Sequence, residues 1–132
     1  MKNNQQNSLL RVIDANINRY KEGIRVVEDI YRYIYNNKEI AYKLKSLRHI
    51  NIPIDIKELL SSRDSINDVL KTSTESEQNR ENLENIILAN IKRSQESARV
   101  LEELFKLIDI QTSEKFKNNR YSLYNIEKTI FQ

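Results

Sequence analysis

Apolar residues recur near the start of the chain in alternating steps of four and three, the spacing of one face of an α-helix. This stripe consists of Ile13, Ile17, Tyr20, Ile24, Val27, Tyr31 and Ile34, and it is widened by Val12, Val26 and Ile30. A second stripe with the same spacing consists of Ile87, Ile91, Ser94, Ala98, Leu101, Phe105 and Ile108. The pattern predicts two long helices, each burying one broad face as in a bundle.

The two stripes belong to an internal repeat. When the sequence is shifted by 74 residues, Ile13 to Ile34 aligns with Ile87 to Ile108, and ten of the 22 pairs are identical. After a two-residue slip, Lys45 to His49 aligns with Lys117 to Tyr121. Each half therefore has a long segment and a shorter one that ends in Lys-x-x-Arg and an aromatic ring. Units of this kind bury their apolar faces against each other.

The sequence thus predicts an all-α fold, a helical bundle of two long-helix/short-helix hairpins related by pseudo-twofold symmetry. We expect a disordered tail at 1–8 and one helical domain over 9–132, with repeats at 9–49 and 83–121 and a linker at 50–80. Further elements are a second helix at 38–49, a short helix at 54–60 followed by an irregular polar loop, and a last helix ending near Ile130. The expected N-caps are Asn7 or Ser8, Asn37, and Thr112 or Ser113, and Asn36 is expected to end the first helix.

Composition narrows the possible functions. One Gly and one Pro cannot supply a glycine-rich phosphate loop or the turns of an all-β fold. A single His and no Cys exclude a Cys/His zinc site. The net charge of +3 comes from interspersed cations and carboxylates, so we expect no nucleic-acid partner. No apolar run approaches the roughly 20 residues of a membrane span, and we expect a cytoplasmic protein without membrane contact.

Small residues on the second long helix bear on the oligomeric state. Ser94 and Ala98 leave room for a closely packed helix, and a second subunit is one source of such a helix. We expect a homodimer on this ground. A monomeric four-helix bundle is the alternative.

Several repeat-matched polar residues fall in or beside the apolar arc of the long helices. At 100° per residue, Asn16 and Gly23 lie inside the arc and Arg19 lies beside it. The second half repeats these positions as Asn90, Ser97 and Arg93. A buried Asn or Arg is costly unless it is hydrogen-bonded or paired. Both halves therefore carry these costly polar residues at matching positions of the long helix.

Six of the ten arginines are matched between the halves. They are Arg19, Arg25, Arg48, Arg93, Arg99 and Arg120, and the carboxylates Glu22, Glu28, Glu96 and Glu102 are matched in the same way. Arginine binds carboxylate or phosphate through a fixed fork of donors, which favours an anion pocket between the halves. The alternative is intramolecular, with Arg19–Glu22 and Arg93–Glu96 pairs along each helix and Arg48 or Arg120 bound to Glu28 or Glu102.

The linker holds a second candidate site. Arg63, Asp64 and Asp68 lie within six residues, with Ser and Thr residues on both sides. Two carboxylates at this spacing can hold Mg²⁺, which prefers carboxylate and phosphate oxygen. The alternative is a turn, because Asp and Ser side chains bond their own backbone.

These segments together carry a resemblance. RVIDANINRYKEGIRVVEDIYRY, LKSLRH, SSRDSINDV and LANIKRSQESARVLEELFKL resemble the helical domain found N-terminal to many bacterial thiamine-phosphate synthases, over about residues 9–130. The synthase itself is a TIM barrel, and the chain contains none of it. The matched positions are Asp14, Asn16, Arg19, Glu22, Arg25, Glu28, Arg48, His49, Arg63, Asp64, Asp68, Asn90, Arg93, Glu96, Arg99 and Glu102. Asn67 replaces the glycine of the family pattern.

The resemblance implies a role in thiamine biosynthesis. The helical family is proposed to be an alternative kinase that converts hydroxymethylpyrimidine phosphate to its diphosphate with Mg²⁺ and ATP. Arg63, Asp64 and Asp68 are then the expected catalytic residues, with Mg²⁺ on Asp64 and Asp68. The expected substrate- and phosphate-binding residues are Asn16, Arg19, Glu22, Arg25, Arg48, His49, Asn90, Arg93, Glu96 and Arg99.

Two other functions remain open from the sequence. The domain is alternatively a non-catalytic module that binds a thiamine precursor or docks on a separate thiamine-phosphate synthase. A purely structural dimeric bundle is the third interpretation, in which the matched arginines all find internal carboxylates.

Overall fold

A computed structural model of the chain describes residues 4–78 and 80–132, with the side chains of 76 and 77 left aside. Its elements are α1 (Asn4–Asp29), a π-helical turn (Ile30–Ile34), α2 (Lys38–Arg48), α3 (Ile56–Ser62), α4 (Glu75–Gln78), α5 (Leu83–Phe105) and α6 (Ile110–Ile130). The predicted all-α class is confirmed, and the pseudo-twofold relation between the halves stays a prediction. No helix in the described ranges is long and apolar enough to cross a membrane.

Helix α1 begins earlier than the sequence predicts. Residues 4–8 are helical rather than a disordered tail, so neither Asn7 nor Ser8 is the N-cap. Residues 1–3 lie outside the described residues. The helix extends because Leu10 is buried in the core and Leu9 packs against it, and the preceding glutamines are good helix formers.

The junction between α1 and α2 follows the expected Asn pair. Asn36 takes a left-handed backbone conformation with φ 51°, which Asn tolerates better than most residues. Asn37 then caps α2, because its side chain accepts a hydrogen bond from the Ile40 amide at 3.0 Å.

The cap of α6 differs from the prediction. Asp109 is the N-cap and accepts hydrogen bonds from the amide and the hydroxyl of Thr112 at 3.2 and 2.6 Å. Thr112 and Ser113 lie inside the helix. Ser113 donates instead to the carbonyl of Glu102 at 2.7 Å, which ties α6 to α5.

Helices α1 and α5 form the centre of the bundle, with α2 and α3 packed on α1 and with α6 packed on α5. Tyr20 lies at the junction and is fully buried. Its ring meets Phe116 edge-on at 5.4 Å. Its hydroxyl donates to the Leu47 carbonyl at 2.7 Å and accepts from Asn119 at 2.9 Å. Burial raises the pKa of Tyr20, so this hydroxyl stays protonated as a structural donor.

Gly23 marks the closest approach of the long helices. A methyl group on Gly23 would meet the Asn90 carbonyl oxygen at 2.7 Å and would also clash with the Ser94 hydroxyl. Ser94 donates to the carbonyl of Tyr20 at 2.9 Å. Ser94 and Ala98 are buried within the single chain. These small residues therefore serve the α1–α5 contact, and the ground on which the sequence predicts a homodimer does not hold.

Candidate functional site

A cleft of about 630 Å³ opens between the outer face of α1 and the segment that follows α3. Six of the sequence-predicted site residues line it: Asn16, Arg19, Glu22, Arg63, Asp64 and Asp68. Ser8, Arg11, Val12, Asp14, Ala15, Asn18 and Ser65 complete the lining. The fold thus brings together two groups of residues that lie more than 40 positions apart in the sequence.

A two-pronged ion pair anchors the linker on α1. Arg63 donates from Nε and Nη2 to the two carboxylate oxygens of Asp14, both at 2.8 Å. The Asp14 side chain is 7% exposed and that of Arg63 is 42% exposed. The hydrogen bond to Asp14 raises the pKa of Arg63. The ion pair therefore fixes the guanidinium at the edge of the cleft.

Helix α3 positions Arg63 through its own local structure. Asp55 caps the helix by accepting from the Lys57 amide at 3.2 Å. Leu59 and Ser62 are buried on its inner side. Arg63 follows directly in an extended conformation, so it leaves the helix end toward α1.

Asp14 and Arg11 are cleft residues that the predicted site did not include. Arg11 donates to the Asp64 carbonyl at 3.0 Å and so contacts the loop. A signal for Asp14 exists in the repeat, because its partner in the second half is Leu88. A carboxylate on one half and an apolar residue on the other indicates a role that the halves do not share.

The carboxylates of the loop bond their own backbone, as the turn alternative predicts. Asp64 accepts from the amide and the side chain of Asn67 at 3.1 and 2.8 Å. Asp68 accepts from the Leu70 amide at 2.9 Å. The hydrogen bonds from Asn67 hold the pKa of Asp64 below its ordinary value, so the carboxylate stays ionised. Asn67 therefore orders the loop in which the family pattern has glycine.

The donor set suits magnesium but no more demanding metal. Within residues 4–78 and 80–132, no three His, Cys, Asp or Glu side chains form a group that could hold a metal ion. Mg²⁺ is commonly held by one or two carboxylates, with water and phosphate oxygens as its other ligands. Asp64 and Asp68 are the carboxylates that the linker contributes to the cleft, and one carboxylate oxygen of Asp68 remains without a hydrogen-bond donor among the described residues.

The charge of the cleft is mixed. Three guanidinium groups (Arg11, Arg19, Arg63) face four carboxylates (Asp14, Glu22, Asp64, Asp68). The cleft is therefore not the anion pocket expected between the halves, because α1 and the linker line it and its charge is mixed. The physical reason is that Arg63 is neutralised by Asp14 and α5 contributes no lining residue among those described.

Two repeat-matched arginines, Arg48 at the end of α2 and Arg120 in the middle of α6, hold buried carboxylates. Arg48 donates to both oxygens of Glu28 at 2.7 and 3.2 Å, and this hydrogen bonding raises its pKa. Arg120 donates to Glu102 at 2.9 and 3.3 Å and to the Tyr124 hydroxyl at 3.2 Å, and these contacts raise its pKa. The intramolecular alternative is confirmed for both, and Arg48 does not line the cleft.

Five of the remaining predicted residues lie on the long helices outside the cleft, and His49 follows α2. Arg25 pairs with Asp29 at 3.2 Å and Arg99 with Glu103 at 3.3 Å, all exposed. Asn16 and Asn90 each donate to the carbonyl four residues back, at 2.9 and 2.8 Å. His49, Arg93 and Glu96 are exposed and away from the cleft. Neither the Arg19–Glu22 nor the Arg93–Glu96 pair forms among the described residues.

Comparison with known proteins shows to which family the chain belongs. A family model described as ThiD2 family matches residues 11–129. The chain belongs to the ThiD2 family. The match includes Arg11, Arg63 and the whole loop to Asp68, so it takes in the cleft as well as both long helices.

Curated relatives extend well beyond the ThiD2 domain. The chain is 36% identical over 121 residues to a thiamine-phosphate synthase of Synechocystis sp., covering 91% of this chain and 35% of the relative. It is 35% identical over 130 residues to a thiamine-phosphate synthase of Rhodopirellula baltica, covering 94% of this chain and 34% of the relative. The chain thus spans about a third of the length of these relatives. No solved structure matches it.

Proposed function

We propose that this ThiD2 domain acts in thiamine biosynthesis by phosphorylating hydroxymethylpyrimidine phosphate to its diphosphate with MgATP in the α1 cleft. One observation carries the proposal: the cleft gathers the six predicted residues from α1 and the linker around about 630 Å³. Small-ligand pockets in proteins have volumes of about 300–1,000 Å³. The thiamine connection rests on the family and on the names of the relatives.

The proposed roles follow from the side chains that remain available. Phosphoryl transfer moves the terminal phosphoryl group of ATP to a phosphate oxygen of the substrate and releases ADP, and it depends mainly on positioning and charge neutralisation. Arg19 and Arg63 would bind phosphate oxygens. The side-chain oxygen of Asn16, whose amide nitrogen is already used, would accept from the pyrimidine amine.

The cleft holds more carboxylates than guanidinium groups, and this charge balance affects which form of ATP it can bind. Four carboxylates against three guanidinium groups repel a bare polyphosphate. Mg²⁺ bound between Asp64, Asp68 and the phosphates would reverse that repulsion and neutralise charge during transfer. We therefore expect ATP to bind only when Mg²⁺ is present.

The test is a turnover assay with purified chain, ATP, Mg²⁺ and hydroxymethylpyrimidine phosphate, followed by ³¹P NMR for the diphosphate. Asp68→Asn is expected to lower the rate and to raise the Mg²⁺ concentration needed for half-maximal rate. Glu39→Gln is the matched control, because Glu39 is exposed on α2, away from the cleft, and pairs with Lys43. Retained binding of both ligands without any diphosphate would rule out the kinase.

The length of the relatives favours a second candidate. Because the chain matches about a third of proteins named thiamine-phosphate synthase, the domain is alternatively a non-catalytic partner of a separate synthase. This function predicts that the chain binds purified thiamine-phosphate synthase in a pull-down and shows no affinity for MgATP. If both outcomes are observed, the docking function is supported and the kinase function is ruled out.

A further inference from the structure

Among the described residues, α2 and α3 pack on α1 and α6 packs on α5, and the α1–α5 pair has a further side on which residues of both helices are exposed. Residues at seven-residue spacing form a row there on each long helix. On α1 the row is Val12, Arg19 and Val26, and on α5 it is their repeat partners Ile86, Arg93 and Val100. Val12, Val26 and Val100 are 43, 37 and 37% exposed. We call these two rows the α1–α5 face.

The two rows lie side by side. Gly23 approaches Asn90 and Ser94 at the seam between the helices, and the rows flank that seam because residues three and four apart are neighbours on a helix. Ser94 also donates to the carbonyl of Tyr20. Near the start of α1, Leu9 and Leu10 line a cavity together with Leu107 and Ile108, which follow α5, so the two long helices are antiparallel.

Two cations lie in the rows of this face, and two carboxylates lie beside the rows. Arg19 and Arg93 belong to the rows, and Glu22 and Glu96 each follow three residues after one of these arginines. None of the four side chains makes an ion pair among residues 4–78 and 80–132, although the carboxylate of Glu22 lies close enough to Arg63 to contribute to its raised pKa. Other charged side chains of the long helices pair closely, such as Arg25 with Asp29 and Glu102 with Arg120.

We infer that a second copy of this chain docks on the α1–α5 face and forms a twofold dimer. A twofold interface uses the same patch on both partners, so the patch must be complementary to itself. An alternating Arg and Glu pattern on two antiparallel helices satisfies this condition, because rotation can bring each Arg opposite a Glu of the other copy. A face that instead fits an unrelated protein has no need to repeat its charges on both helices.

The size of the face suits a dimer. Helix α5 has 23 residues, which is about 35 Å at 1.5 Å per residue, and two helices side by side are about 20 Å wide. The resulting area of about 700 Å² per copy lies close to the roughly 800 Å² of a standard interface. Exposed valines supply the apolar part, and the four charges supply the specificity.

The dimer bears on the α1 cleft without depending on the proposed reaction. Val12 and Arg19 belong to the face and also line the cleft, whose other wall is the 63–68 segment. A second copy on the face would border the open side of the cleft. The cleft would then lie between a loop of one copy and a long helix of the other.

Complementary charge reversal tests the dimer directly. Arg19→Glu/Arg93→Glu makes the face wholly acidic, and Glu22→Arg/Glu96→Arg makes it wholly basic. We expect the native chain to sediment at twice its 15.7 kDa, each double variant at 15.7 kDa alone, and an equimolar mixture of the two variants at the dimer mass again. The readout is analytical ultracentrifugation, with circular dichroism to confirm that the exposed substitutions leave the helices intact.

A single apolar substitution provides the matched control. Val26→Asp on the face is expected to give monomer, whereas Val69→Asp on the exposed loop is expected to leave the dimer unchanged. A native chain that remains monomeric at high micromolar concentration overturns the proposal and leaves the face to a different protein. A dimer that survives both charge reversals overturns it as well, because the contact would then lie elsewhere.

Discussion

In the first half of the molecule Arg48 holds the carboxylate of Glu28, and in the second half Arg120 holds that of Glu102. Asn16 and Asn90 bond the carbonyls four residues back in the same way. At the position of Asp14, which binds Arg63, the second half has Leu88, which is exposed. The shared pairs Arg48–Glu28 and Arg120–Glu102 build the bundle, whereas Asp14, which the halves do not share, holds the linker beside the cleft. A matched Arg alone therefore does not identify a binding site, since Arg19 lines the cleft and Arg48 does not.

The largest expected effect concerns the shared ion pairs. Arg48→Ala leaves Glu28, only 1% exposed, without its partner, and Arg120→Ala leaves Glu102 with a longer pair to Arg99 at 3.8 Å. Removing one member of a buried pair costs about 3–5 kcal/mol, because the remaining charge is uncompensated. We expect that loss in the free energy of unfolding for each variant, measured by urea denaturation.

Arg25→Ala is the control for these variants, because its pair with Asp29 is exposed on both sides. Exposed pairs contribute about 0–1 kcal/mol. A small loss for Arg48→Ala together with a large one for Arg120→Ala would show that the halves are not built alike.

The next effect concerns the seam between the halves. Gly23→Ala places a methyl group against the Asn90 carbonyl, and overpacking of this kind costs about 1–3 kcal/mol. Its repeat partner Ser97 donates to the Arg93 carbonyl of its own helix, so Ser97→Ala is expected to cost less than about 1 kcal/mol. Thermal unfolding of both variants measures the difference. If both variants lose the same stability, α1 can move away from α5 at Gly23 without an additional cost.

Periodicity and the repeat predict the two long helices and most of their core, but Val12, Val26, Ile34 and Ile108 of the predicted stripes are exposed. Ile13, Ile24 and Leu101 are all buried as the stripes require, since a 3.6-residue period directly determines which face is apolar. The helix ends were harder to predict because capping competes among neighbours. Asp109 caps α6 although Thr112 and Ser113 are also good caps.

The candidate site was only partly predictable from the sequence. The loop residues Arg63, Asp64 and Asp68 do meet Arg19 of α1 in one cleft. The sequence could not show that Asp14 neutralises Arg63, because the two lie 49 positions apart and pair only through the placement of α3. The sequence also could not show whether Arg48 binds Glu28 or a phosphate, since a guanidinium group forms the same paired hydrogen bonds with either.

The third prediction concerns Asp14, whose repeat partner in the second half is Leu88. Asp14→Leu gives α1 the residue of α5 and releases Arg63, so we expect affinity for the MgATP and pyrimidine ligands to fall at least about tenfold, or 1.4 kcal/mol. The free energy of unfolding should fall less than in Arg48→Ala, because the buried member of the pair is the one removed and the remaining Arg63 is 42% exposed to water. Isothermal titration calorimetry measures the affinity.

Leu88→Ala is the matched control for Asp14→Leu, because it changes the repeat partner on the helix that lacks a cleft. We expect it to leave ligand affinity unchanged. Unaltered affinity in Asp14→Leu would place the ligand outside the α1 cleft.

The smallest effect concerns the 63–68 loop, which packs only on the first half. Two hydrogen bonds from Asn67 lower the pKa of Asp64, and a carboxyl whose pKa is lowered on folding stabilises the fold above its ordinary pKa. That contribution is lost as the pH falls through the lowered pKa. Asn67→Ala is therefore expected to move the pKa of Asp64 upward, as measured by ¹³C NMR titration of the carboxyl group. Asn51→Ala, in an exposed part of the linker, should leave the pKa of Asp64 unchanged.

If Asp64 also binds Mg²⁺, adding the ion lowers the titration midpoint of Asp64 further in the native chain. An unchanged midpoint would restrict Asp64 to ordering the loop.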